Sequence, residues 1–226
     1  TVGLAPEQEQ LAKRLGHVSQ RHVGAAGRHR SIEQPERGAR RRLIGVVPNR
    51  LLGGRSLSVA ASRESLLELL DVADRVLEEH QSTKPEQGIA IGVNGKPVVA
   101  ANGKPPQIAA DSIALSHDGE YLYYKPLTGA VVYRVKTSAL REGGASAGSA
   151  VEKVAEAFPT DGFWMDAQDT LYLSNINESA VYRMPKNGKL EKLLSDKRLV
   201  WPDTFSQGPD GSIYITASHI NDAPQY

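Results

Sequence analysis

Three stretches of this chain follow one plan, and an internal repeat restricts a fold more than any composition does. The first begins at Asp111 (DSIALSHDGEYLYYKPLTGAVVYRV), the second at Asp161 (DGFWMDAQDTLYLSNINESAVYRM) and the third at Asp203 (DTFSQGPDGSIYITASHI). Each has an Asp, a short apolar run, a turn, and a second run carrying Leu-Tyr or Ile-Tyr. The Tyr follows the Asp by eleven residues in the second and third copies (Tyr172, Tyr214) and by twelve in the first (Tyr123). Two copies continue into a third run, AVVYRV and SAVYRM. After the latter, PKNGKLEKLL supplies an Asn187-Gly188 turn and a fourth run. Asp-Gly and Asn-Gly suit two-residue hairpins because both central positions must accept positive φ.

The Asp-to-Asp spacings are 50 and 42 residues. Units of about 40 to 50 residues with four short strands each are the mark of β-propeller blades. An ordinary antiparallel meander is the alternative, and three copies with matched Asp and Tyr positions weigh against it. The chain therefore reads as all-β, with strands near 111–116, 121–125, 130–135, 161–166, 170–174, 179–184, 189–194, 203–207 and 212–217. Residues 86–226 are expected to be almost entirely antiparallel, with no helix longer than two turns within 111–217.

The same residues carry a resemblance. ADSIALSHDGEYLYYKPLTG, TDGFWMDAQDTLYLSNINESAVYR and LVWPDTFSQGPDGSIYITASHI resemble the yellow / major royal jelly protein family in its bacterial branch. Members of that branch are described as dopachrome-tautomerase-related or gluconolactonase-like. VLEEHQSTKPEQGIAIGVNGKPV is similar to the segment that precedes these blades, so the resemblance spans roughly residues 76–226. Its most specific stretches are Trp-Pro-Asp-Thr and Lys-Pro-Leu-Thr-Gly. It implies a six-bladed propeller that is secreted or periplasmic, although no charged-then-apolar leader opens the chain. About three blades are visible, so the expectation is an incomplete six-bladed propeller. It would be a fragment of a longer product, or be completed by a partner chain.

Composition divides the chain elsewhere. Residues 1–63 hold 12 Lys and Arg against 4 acids, whereas 64–226 hold 15 against 22. All 13 Phe, Trp and Tyr lie at Tyr121 or later, so the first half lacks the large core pieces that aromatics supply. Residues 1–63 read as an Arg-rich segment that is disordered, fused or frame-shifted. Its arginines could contact phosphates, but no aromatic stands ready to stack on bases, so nucleic acid is not an expected partner. From Ser62 to His80, Leu66, Leu69, Leu70, Ala73, Val76 and Leu77 recur at helical spacing, which predicts an amphipathic helix over 64–80. The resemblance would instead make VLEEH the tail of a strand. The partial propeller then occupies 81–226. The absence of cysteine excludes disulfides and thiolate zinc sites, and no apolar run approaches a membrane span.

In a propeller, the residues that start the innermost strands converge on the central channel. Asp111, Asp161 and Asp203 occupy equivalent starts, and three carboxylates there could hold a hard cation such as calcium. The resemblance to gluconolactonases, whose metal site uses acidic and Asn ligands, makes Asp161 the candidate catalytic residue. It makes Asp161 and Asp111 the candidate metal ligands. Asp111 stands where that family more often has Asn, and the family's Glu ligand and remaining Asn belong to earlier blades. The plainer role for each Asp is to accept backbone N–H bonds at a blade corner. That role is preferred for Asp118 and Asp210 in their Asp-Gly turns, and for Asp111 and Asp203; for Asp161 both roles stand.

Asp111, Asp203, His219 and Trp201 are the candidate ligand-binding residues. His219, beside Asn221 and Asp222, could line the channel mouth or be a solvated loop residue. Trp201, like Trp164, could equally be packing between blades. Two main functions stay open, with a third beside them. One is a propeller that binds a small molecule, such as an aromatic amine, in its channel. Another is an enzyme, either an isomerase acting on dopachrome-like indoles or a metal-dependent lactone hydrolase. The third is a non-catalytic interaction propeller. The oligomeric state is left open.

Overall fold

The computed structural model describes residues 77, 79–224 and 226, and the backbone of 43–47. The expected helix over 64–80 lies outside these residues, apart from a helical Leu77 and the bend at 79–80. The character of 1–63 likewise lies outside them, except for one strand, β1, at Leu43–Val47.

A small hairpin comes first in the continuous part, with β2 at Gly92–Val93 and β3 at Lys96–Pro97. Its turn is Asn94-Gly95, both at positive φ (51° and 76°), as a two-residue hairpin requires. Next is a four-stranded antiparallel sheet of β4 (Ala110–Leu115), β5 (Tyr121–Pro126), β6 (Val131–Lys136) and β7 (Glu152–Glu156), in that order. A second antiparallel sheet repeats the plan with β8 (Phe163–Met165), β9 (Leu171–Asn175), β10 (Ala180–Met184) and β11 (Glu191–Ser195). The third contains β12 (Pro202–Gln207) and β13 (Ile213–Ala217), with β1 lying parallel on the far edge of β13.

The repeat seen in sequence is a repeat of register. Tyr123 stands opposite Ala114, Tyr172 opposite Trp164, and Tyr214 opposite Ser206, each three residues after its Asp. The extra residue of the first copy therefore falls in the β4–β5 turn. That turn and its counterpart before β13 are closed by Gly119 and Gly211 at φ of 75° and 80°. Asp169 takes the left-handed place in the second copy (φ 57°), and its Oδ1 accepts the His117 N–H at 2.8 Å, tying the two sheets together.

Alternation along the strands buries one face against the next sheet. Ala114 and Val132 of the first sheet pack with Met165, Leu171, Leu173 and Met184 of the second. Tyr172 and Val181 of the second pack with Phe205, Ile213 and Ile215 of the third. Each such side chain contributes about 1.5–3 kcal/mol of burial. The other face of the first sheet is covered by two short helices in the β6–β7 connection, α1 (Thr137–Glu142) and α2 (Gly144–Ser149). Leu140 and Ala147 from these helices, together with Leu77, close over Leu122, Tyr124 and Val135. The expectation of nearly unbroken strand is corrected here, although six residues each is less than two turns. Among the described residues no helix is long and apolar enough to cross a membrane.

Candidate functional site

The starts of β4, β8 and β12 bring Asp111, Asp161 and Asp203 to one end of the three sheets. Asp111 is an extra residue in its ladder, because Ala110 pairs with Pro126 and Ser112 with Lys125. The same irregularity recurs at Asp203 and Thr204, which lie between the pairs Pro202–Ala217 and Phe205–Ile215. Such bulges increase local twist and re-aim a side chain. At Asp161, Ser174 Oγ accepts both the Asp161 N–H (3.2 Å) and the Gly162 N–H (2.9 Å). Thr216 Oγ1 likewise accepts the Thr204 N–H at 3.0 Å. In the first sheet the equivalent residue is Lys125, fully buried, whose amine donates to the carbonyls of Pro126 and Gly129, both at 2.7 Å. Burial lowers that amine to about 7, against the pull of Glu86.

The three carboxyls are half-buried and feel one another. Burial raises Asp161 well above the usual carboxylate range, and the charges of Asp203 and then Asp111 push it further. A side-chain interaction with Asp111 raises Asp161 further still. Burial also raises Asp111, and this interaction offsets part of the rise. Asp203 is raised by burial and by the Asp111 charge, against the Thr204 hydroxyl that donates to its Oδ1 at 3.0 Å.

Trp201 is wholly buried, and its indole N–H donates to Asp161 Oδ2 at 2.5 Å. It offers no exposed face as a ligand platform in this structure; it holds the candidate catalytic carboxyl instead. Tyr226, which sequence reasoning missed, sits 6.1 Å from Trp201 between ring centroids. Its hydroxyl is raised by burial and then by the charges of Asp161 and Asp111. No motif surrounds Tyr226, so nothing in the sequence marked it.

His219 stands at a left-handed φ of 55°, with Nδ1 3.3 Å from Asp222 Oδ2, and Asn221 donates its amide to Asp222 Oδ1 at 2.7 Å. These three side chains bond among themselves, and no bond between His219 and Asp111, Asp161 or Asp203 is seen among the described residues. Trp164 packs on Tyr172 at 5.0 Å, between the second and third sheets. Asp118 and Asp210 accept backbone N–H bonds within their own turns, from Glu120 (2.9 Å) and Ser212 (3.0 Å).

Among the described residues no group of three or more His, Cys, Asp or Glu is arranged to hold a metal ion. One oxygen of Asp161 is engaged by the Trp201 N–H.

Residues 77–215 match the family described as major royal jelly protein, and the chain belongs to that family. No curated protein matches it significantly. Among solved structures it is similar to a gluconolactonase from Xanthomonas campestris, at 16% identity and a TM-score of 0.40, covering 63% of this chain and 48% of that one. It is also similar to regucalcin, a calcium-binding protein from Agrobacterium tumefaciens (21% identity, TM-score 0.39, 54% and 45% covered). Virginiamycin B lyase from Staphylococcus aureus matches at 12% identity and a TM-score of 0.37, with 48% and 34% covered. The chain thus spans half or less of the length of these structures.

Proposed function

We propose that this chain supplies neighbouring blades of an exported six-bladed β-propeller of the major royal jelly type, and that Asp111, Asp161 and Asp203 bind a small molecule at the mouth of its channel. One observation carries this reading: three aspartates from equivalent places in successive sheets lie half-buried at one end of the fold, near enough for their charges to act on one another. Like charges gathered away from water are unfavourable unless a proton, cation or donor compensates them. A small aromatic molecule bearing an ammonium group provides that compensation, with its charge on the carboxylates.

The electrostatic pairing of Asp161 with Asp111 favours a second reading, in which the same pair catalyses an isomerisation. With Asp161 raised further than Asp111, the two can serve as general acid and general base, the pairing needed to move a proton from one atom of a dopachrome-like indole to another. The lactone hydrolase alternative requires a metal whose remaining ligands, by the family resemblance, belong to earlier blades. The test is a crystal structure of the complete protein soaked in tyramine. An ammonium group within hydrogen-bond distance of Asp161 or Asp203 is the expected result. Tyramine seated only away from these carboxyls would refute the reading.

A further inference from the structure

The role of Trp201 follows from four observations taken together. It is 0% exposed, packed among Ile91, Val93, Val98, Leu127 and Ile176, so no ligand can lie on its ring without rebuilding the cluster. Its backbone is left-handed at φ 54°, a rare conformation for a bulky side chain, and Pro202 follows it directly. The surroundings hold this conformation: the Trp201 carbonyl accepts both the Ser218 N–H (3.0 Å) and the Ser218 hydroxyl (3.1 Å). Finally, the one polar atom of the side chain is aimed at Asp161 Oδ2, at 2.5 Å.

Packing alone would not require a strained tryptophan here, since a leucine in a relaxed conformation also fills an apolar hole. Backbone strain kept at a carboxyl cluster points to what the strain positions. Leu127 belongs to the β5–β6 hairpin and Ile176 to the β9–β10 hairpin, while Trp201 enters β12. All three sheets therefore fix the indole, and the indole fixes one carboxyl group. A carboxyl held by a rigid donor is set in plane before any ligand arrives, which lowers the ordering cost of binding.

We infer that Trp201 is a positioning residue, whose indole N–H orients Asp161 toward the ligand, and is not itself a ligand contact. This rests on the reading of the aspartates as the binding site. The probe is tyramine, titrated calorimetrically into the complete protein carrying benzothienylalanine at position 201. That side chain keeps the shape of Trp and replaces the N–H by sulfur; Trp201→Phe serves as a second variant. Tyramine affinity should fall about tenfold in each, as it should in Asp161→Asn. Combining Trp201→Phe with Asp161→Asn should lower it little further, because one interaction is removed twice. The indole N–H proton resonance of Trp201 should also move upfield in Asp161→Asn, where the acceptor is weaker. Wild-type affinity in the benzothienyl protein, with Asp161→Asn impaired, would mean that Trp201 only packs. Wild-type affinity in Asp161→Asn would overturn both this inference and the binding site beneath it.

Discussion

The carbonyl oxygen of Asp203 occupies the space that a side chain on Gly162 would fill. This contact lets the start of β12 lie directly against the start of β8, and so brings Asp203 within electrostatic reach of Asp161. A methyl group at Gly162 meets backbone on the far side, which cannot swing away as a flexible side chain would. Gly162→Ala should therefore destabilise the protein by about 3 kcal/mol, the upper part of the range for overpacking. It should also separate the two carboxyls. Guanidinium denaturation reads the first effect and tyramine affinity the second. Unchanged stability would show that the two strands are not in contact.

The acidic cluster sets a direction for the pH dependence of stability. Asp111, Asp161 and Asp203 are all raised by burial above their ordinary value of 3.8. Each then binds its proton more tightly in the folded than in the unfolded chain. Their contribution is fully present below the unfolded value and is lost as pH rises through the folded values. Asp161→Asn removes the most strongly raised of the three. Its melting temperature relative to wild type should accordingly rise between about pH 4 and pH 8. Scanning calorimetry across that range checks this, and a difference that stays constant with pH would contradict the raised acidic cluster.

Away from the site, Ser82 joins the segment before β2 to the first sheet. Its hydroxyl and that of Tyr124 lie 2.6 Å apart, both residues being buried. His80 Nδ1 accepts the Ser82 N–H at 3.2 Å and lies 2.7 Å from the Ser82 hydroxyl, capping the turn at Gln81–Thr83. Ser82→Ala leaves the Tyr124 hydroxyl buried without this partner and should cost about 1–3 kcal/mol. Adding Tyr124→Phe should restore part of that loss, because both halves of the pair are then apolar. A double variant as unstable as the sum of the two single changes would show that the hydroxyls do not interact.

The strands were legible where turn chemistry and alternation agreed. Asp118-Gly119, Asn187-Gly188 and Asp210-Gly211 mark their turns because positive φ favours glycine. The repeated Asp and Tyr positions gave the register and picked out the three aspartates that the fold brings to one end of the sheets. What remained hidden was decided by tertiary contact. β7 reads EKVAE, with too few β-branched or aromatic residues to announce a strand, and it forms because β6 pairs with it. The α2 segment GASAGS is a poor helix by propensity, held by Ala147 in the core and by Gly148 close against His80. The Asn94-Gly95 hairpin did carry a readable signal. The bulges at Asp111 and Asp203 did not, because an unpaired residue looks like any other in sequence. Trp201 was seen as an aromatic in the right place, but its direction comes from a left-handed backbone that Trp-Pro does not advertise.

The most direct test of the account is calorimetric titration of the complete protein with tyramine, and in parallel with calcium, on wild type and Asp161→Asn. Asn keeps the size of Asp and most of its acceptor capacity, so the fold should persist while the charge is lost. The account predicts tyramine binding at least tenfold weaker in the variant, about 1.4 kcal/mol, with calcium as the control for a cation bound at the same carboxyls. Equal tyramine affinities in the two proteins would contradict it, and with a lowered melting temperature in the variant would mean that Asp161 serves only to hold the corner of its sheet.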